Sequence, residues 1–89
     1  IVRDNKSLNN LIVSSTDLKP NKNTTGHKHP RQEEVYYFLR GTGKMELDND
    51  LIDVTVGDVI LIEDNVFHKV YAGNEGLYFL CVFDGKRNH

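Results

Sequence analysis

Three histidines and one of two glutamates stand where they could share a single ion. His27 and His29 are two residues apart, a spacing that turns both imidazoles to one face of an extended strand. Glu33 and Glu34 follow after Pro30-Arg31-Gln32, and His68 lies 39 residues beyond His29. Imidazole nitrogens with one carboxylate suit Fe(II), Mn, Co, Ni or Zn and do not suit Ca or Mg. Four such ligands on an octahedral ion leave two positions for water or substrate. Alone, a His-x-His pair is more often a loop feature than a metal site, and a downstream glutamate adds little because glutamates are common. The chemistry depends on what brings the distant His68 to the other residues.

Strands must do this positioning. Apolar residues come in short runs at 11–13, 35–39, 51–56, 59–62 and 77–83, rich in Val, Ile, Leu, Tyr and Phe. Between them lie Lys19-Pro20-Asn21-Lys22-Asn23, Gly41-Thr42-Gly43, Asp48-Asn49-Asp50, Gly57-Asp58, Asp64-Asn65 and Gly73-Asn74-Glu75-Gly76, all turn-forming residues. Short β-rich runs spaced by roughly 8–12 residues predict an all-β sandwich or barrel, with His68 near the start of the next-to-last strand. No stretch holds a 3.6-residue period for three turns. Leu8, Leu11 and Ile12 would serve equally as one helical turn or as the start of a strand. The polar residues 1–10 are expected to form an N-terminal strand or arm, or to pair with a second subunit.

Two spaced motifs sharpen the reading. Residues 21–41 run Asn21-x5-His27-x-His29-x4-Glu34-x6-Gly41, and residues 57–72 run Gly57-x5-Glu63-x-Asn65-x2-His68-x3-Ala72. They resemble the two motifs of the cupin superfamily, G-x5-H-x-H-x3-4-E-x6-G and G-x5-P-x-G-x2-H-x3-N. The fifteen residues between Gly41 and Gly57 are similar to the short gap of small microbial cupins, and the likeness spans residues 11–83. It implies a small antiparallel double-stranded β-helix (a jelly-roll or cupin barrel), one domain over residues 1–89 with its core at about 11–83. It also implies one divalent transition metal (Fe, Mn, Ni, Co or Zn) held by His27, His29, Glu34 and His68. The six residues before Gly41 select Glu34 over Glu33, since a one-residue slip turns a strand side chain to the opposite face.

Four motif positions depart from the pattern. Asn21 and Asn65 replace glycines, and asparagine is the non-glycine residue that best tolerates the positive φ such turns require. Glu63 replaces a stiffening proline, and Ala72 replaces an asparagine that is not an expected ligand. The pair Glu63-Asp64 reads as a solvated turn.

If Glu34 points inward, alternation sends Tyr36 and Phe38 inward too, and puts Val70 on the face of His68. Tyr36, Phe38 and Val70 are thus the expected pocket wall, with core packing the plainer reading for Phe38. Tyr36 is the candidate catalytic acid or base and Tyr78 the second choice. Arg40 shares the Glu34 parity but borders a turn and is expected to face solvent. On the last strand either Leu77/Phe79/Cys81/Phe83 or Tyr78/Leu80/Val82 lines the interior, and the pattern does not choose. Cys81 is read as a small core residue.

Composition bounds the rest. A domain this small buries only about 60–65% of its unfolded surface and needs a metal, a partner or tight closure. Val35, Tyr37 and Leu39 occupy the far face of the Glu34 strand, so a homodimer is expected. Eleven basic against thirteen acidic residues, net charge -2, with no basic stripe, argue against nucleic acid. No apolar run is long enough to span a membrane, no signal-peptide pattern is present, and a lone cysteine fits the cytoplasm. Because the sequence opens on Ile1 where a methionine is expected, a few native residues are expected to be missing. The expected function is a metal-dependent enzyme acting on a small organic substrate, of dioxygenase, isomerase or lyase type. No phosphate clamp of inward Arg or Lys is evident. The alternative is a non-catalytic metal- or small-ligand-binding module.

Overall fold

The computed structural model describes residues 2–5, 11–26, 28 and 33–84. Among these residues all regular structure is strand: β1 (Val2–Asn5), β2 (Leu11–Leu18), β3 (Glu34–Leu47), β4 (Asp50–Thr55), β5 (Val59–Ile62) and β6 (His68–Asp84). Every pairing is antiparallel, in the order β1-β2-β6-β3-β4 with β5 also on β3. Leu11 and Ile12 open a strand, and Leu8 lies outside the described residues. Residues 2–5 pair with β2 of the same chain.

Two expected turns are instead corners within strands. Gly41-Thr42-Gly43 lies inside β3 and residues 73–76 lie inside β6, where the pairing of the two strands slips between Phe38 and Arg40 and again between Gly41 and Gly43. Bulges of this kind bend a strand while leaving it paired. Gly41 is fixed there by its backbone: its φ is 91°, and a Cβ would overlap the carbonyl oxygen of Gly76. β3 and β6 therefore each serve two layers. The first layer holds β1, β2, residues 77–84 of β6, residues 34–40 of β3, and β5. The second holds residues 43–47 of β3, residues 68–72 of β6, and β4. Because the corner lies within it, β6 runs unbroken from His68 to Asp84, so among the described residues His68 opens the last strand rather than the one before it.

The core lies between the layers. Phe38, Met45 and Val70 are fully buried, packed with Phe79, Leu77, Ile62 and Val54. Leu77, Phe79 and Cys81 are buried while Tyr78, Leu80 and Val82 are half-buried on the outside, which settles the face of the last strand. The bulge after Phe38 inverts the alternation, so Arg40 is exposed and lies 5.1 Å over the ring of Tyr78. The remaining turns fall where expected. Asn21 and Asn65 have φ of 62° and 64°, and Asp48 starts the β3–β4 hairpin turn at 50°.

Candidate functional site

Glu34 is the first residue of β3 in the first layer, and His68 is the first residue of β6 in the second layer. Closing the layers over the core brings them together at one end of the barrel. His68 Nε2 lies 3.2 Å from Glu34 Oε2, and both side chains are buried. On the other side of the carboxylate, the Cys81 thiol donates to Glu34 Oε1 at 3.0 Å. The register pairs Tyr36 with Cys81 across β3 and β6. The Tyr36 ring stacks on Phe79 at 5.2 Å and meets the His68 ring edge-on at 5.7 Å. Glu33, one residue earlier, is exposed.

The ring of His68 is oriented by its other nitrogen, which lies 3.1 Å from the carbonyl oxygen of Val66. With that N–H donated to the backbone, Nε2 faces the carboxylate with its lone pair unless it carries a proton. Two acceptors cannot face each other at this distance without a cation between them, and either a proton or a metal ion meets the need. Burial lowers the affinity of His68 for a proton. The hydrogen bonds to Glu34 and to the Val66 carbonyl, with the Glu34 charge, outweigh this and raise its pKa. A metal-binding histidine commonly donates its second N–H to a backbone carbonyl in this way, so the donor chemistry of Glu34 and His68 fits a divalent transition metal.

His27 and His29 lie outside the described residues. The chain before them is described as far as Gly26: residues 21–24 run antiparallel beside residues 70–73, through Thr24 N–H to Val70 O (2.9 Å), Ala72 N–H to Lys22 O (2.8 Å) and Asn21 N–H to Gly73 O (3.0 Å). That register leads toward His68. Among the described residues no group of three or more His, Cys, Asp or Glu side chains is arranged to hold a metal. Cys81 and His68 contact different oxygens of the Glu34 carboxylate.

The three expected wall residues differ in depth. Tyr36 lies beside Glu34, Cys81 and His68, whereas Phe38 and Val70 sit deeper, closed into the core. Burial above all, then the neighbouring Cys81 and Glu34, push the Tyr36 phenol far above its ordinary range. Near neutral pH it is a neutral donor. Tyr78 is half-buried on the outer face under Arg40 and does not share this site. Cys81 is the residue that sequence reasoning missed. Its signal was the parity of β6, which an unbroken apolar run conceals.

A cleft of about 490 Å³ opens beside Glu34, lined by Glu33, Asp64, Phe83 and Asp84 among others. Two grooves of about 530 and 590 Å³ lie along the outside of the second layer, around Lys44 and Tyr71, and neither includes Glu34 or His68. They are open surface between paired side chains, without the convergent buried groups of a ligand site.

Known proteins resemble this chain in both sequence and shape. An uncharacterized protein of Methanocaldococcus jannaschii is 46% identical over 56 residues, covering 62% of this chain and 45% of that protein. An oxalate-binding protein of Thermotoga maritima is 29% identical over 72 residues, covering 80% of this chain and 60% of that protein. The chain thus spans about half the length of these relatives. The crystal structure of a cupin-2 domain protein from Rhodospirillum rubrum superposes with a TM-score of 0.90 at 21% identity, covering 99% of this chain and 61% of that one. The model of the cupin domain family matches residues 15–83, which include Glu34, Tyr36, His68 and Cys81. The protein belongs to the cupin family.

Proposed function

We propose that this chain is a metal-dependent enzyme acting on a small organic acid, with one divalent transition metal (Fe, Mn, Ni, Co or Zn) held by His27, His29, Glu34 and His68. The observation that carries the reading is the buried face-to-face pair of His68 Nε2 and Glu34 Oε2, 3.2 Å apart, with the other ring nitrogen bonded to Val66. The register of residues 21–24 beside residues 70–73, which leads the chain toward His68, supports adding His27 and His29. A bound ion supplies Lewis acidity or, if it is iron, dioxygen activation. The chain's own residues do the rest. Tyr36, held neutral, donates a hydrogen bond to an oxygen of the acid and is the candidate proton donor. Phe38 and Val70 close the inner end to water, and Cys81 holds Glu34 in one orientation. The likeness to an oxalate-binding protein supports a small carboxylate as ligand and favours a second reading, a non-catalytic binding module.

Metal identification by X-ray fluorescence, on protein purified without added metal, tests the centre. Single substitutions His27→Ala, His29→Ala, Glu34→Ala and His68→Ala should each strip most of the ion, while Glu33→Ala retains it. Unchanged metal content in all four would end the proposal. Calorimetric titration with oxalate and other small dicarboxylates, followed by product analysis, separates the two readings. Binding with turnover supports the enzyme, and binding without turnover supports the module.

A further inference from the structure

The chain that leads to His27 is held against the chain around His68 at two levels. At the first, Thr24 and Val70 exchange two bonds. The Thr24 N–H donates to the Val70 carbonyl oxygen at 2.9 Å, and the Val70 N–H donates to the Thr24 hydroxyl at 3.0 Å. At the second, two residues on, the ring of Phe67 lies against Gly26, so closely that a Cβ on Gly26 would overlap the ring atoms Cζ and Cε1. The φ of Gly26 is not in the left-handed region, so the backbone does not demand glycine there; the ring does. Phe67 is itself fixed at its backbone. Its N–H donates to the Asp48 carboxylate at 3.0 Å and its carbonyl oxygen accepts from the Asp48 N–H at 2.9 Å, which ties it to the β3–β4 turn. Val66 packs on the core, whereas Phe67 is half-buried with its ring on Gly26.

We propose that Phe67 is a positioning residue for the metal centre: anchored by Asp48 and seated on Gly26, it locks the residue before His27 to the residue before His68. The inference rests on the metal reading above. Its logic is steric and entropic. Glycine has the freest backbone of any residue, and one placed directly before a ligand leaves that ligand loosely held. A metal centre tolerates little of this, since its donors must fall within ~0.5 Å of their places. A ring packed on the glycine removes that freedom without adding a polar group that would compete for the ion. Because Asp48 takes both backbone groups of Phe67, the ring has a fixed base from which to hold Gly26, and His68 follows it directly in sequence. Gly26 and Phe67 thus act as a pair, each needing the other's size.

Calorimetric titration of the metal-free chain with Co(II), together with the EPR spectrum of the bound ion, tests the lock. Phe67→Ala removes the ring and Gly26→Ala displaces it. Each should weaken Co(II) binding about 10-fold or more and alter the EPR spectrum at saturation, while circular dichroism of the metal-free chain still shows folded strand. The double substitution should cost no more than the larger single one, since both remove the same contact. Asp48→Gly tolerates the φ of 50° but lacks the carboxylate, and should cause a smaller loss; Asp48→Asn keeps an acceptor oxygen and should retain binding. Unchanged affinity and spectrum in both Gly26→Ala and Phe67→Ala, in a chain that binds Co(II) and loses it in His68→Ala, overturn the lock alone. Losses that simply add in the double substitution, or a lowered affinity with an unaltered spectrum, overturn it too. An unmodified chain that takes up no Co(II) overturns the metal reading itself, and the positioning role falls with it.

Discussion

Outside the first layer, neighbouring strands present Val35, Tyr37, Val59, Leu61, Leu80 and Val82; outside the second, the equivalent positions are Lys44, Glu46, Asp53, Lys69 and Tyr71, with Leu51 the apolar exception. The polar set partners itself. Lys44 pairs with Asp53 at 2.6 Å, the Tyr71 hydroxyl donates to Glu46 at 2.8 Å, and the Lys69 ammonium lies 5.2 Å over the Tyr71 ring. The same two long strands, β3 and β6, build both faces, so strand propensity does not explain the contrast. Both layers turn apolar residues inward, because both close the same core. Their outsides differ in composition: the second carries mostly charged and polar side chains, and the first carries a row of apolar ones.

The largest test of that division compares an inward residue with an outward one. Phe79 is buried between Tyr36 and Phe38, at 5.2 and 5.3 Å between ring centres. Phe79→Ala should lower stability by about 3–5 kcal/mol in denaturant unfolding, through lost burial and the cavity left behind. Leu51→Ala, outside the second layer, should change it by no more than about 0.5 kcal/mol. A comparable loss in both would show that the second face is covered rather than exposed.

A smaller effect is expected at Cys81, where the inside of the first layer touches the site. Cys81→Ala removes the donor to Glu34 Oε1 but little volume. If Glu34 holds a metal, metal affinity should fall about 10–100-fold, the usual effect of losing an outer partner of a ligand. Cys81→Ser, which restores a donor, should recover most of it. Competition with a chelator of known affinity reads both. Equal affinity in all three proteins would leave the thiol as packing alone.

What the sequence could tell about fold and site follows the same division. The second layer alternates, with Lys44, Glu46 and Lys69 outward and Met45 and Val70 inward, so its faces can be read by parity. The first layer has apolar residues on both faces, so runs such as 35–39 and 77–83 look alike from either side. In β3 the ambiguity was broken by Glu34, whose spacing to Gly41 anchored the phase. No such polar marker exists in 77–83, and for that reason Cys81 was placed in the core without its contact to Glu34. The glycine clusters at 41–43 and 73–76 were legible as breaks. That they are corners rather than turns depends on pairing between strands far apart in sequence. The approach of His68 to Glu34 was legible only through the family resemblance, since it depends on closure of the barrel.

The pH dependence of the metal-free chain probes the contact of His68 with Glu34, where the two layers touch through charge. The pKa of His68 is raised in the fold, so the protonated pair with Glu34 adds stability in full below the ordinary histidine value near 6.5. That contribution is lost as pH rises through the higher folded value. In a chelator, the melting temperature should therefore fall from about pH 5.5 to about pH 8.5, and His68→Gln should flatten the slope. With metal the sign reverses, because the ion competes with the proton for Nε2 and its stabilisation grows as pH rises. A metal-free slope that survives in His68→Gln would assign the titration elsewhere.

The smallest expected effect tests the water-facing side of the comparison. Lys44 and Asp53 are close, yet their side chains are 55% and 84% exposed, so solvent and salt screen the pair and ordering two flexible chains offsets the attraction. A double-mutant cycle with Lys44→Ala and Asp53→Ala should give a coupling of about 0.5 kcal/mol or less, shrinking further in ~1 M salt. Coupling above about 1.5 kcal/mol that resists salt would mean that water does not reach the pair. The polar face would then be covered, and the contrast between the two exteriors would not be one of exposure to water.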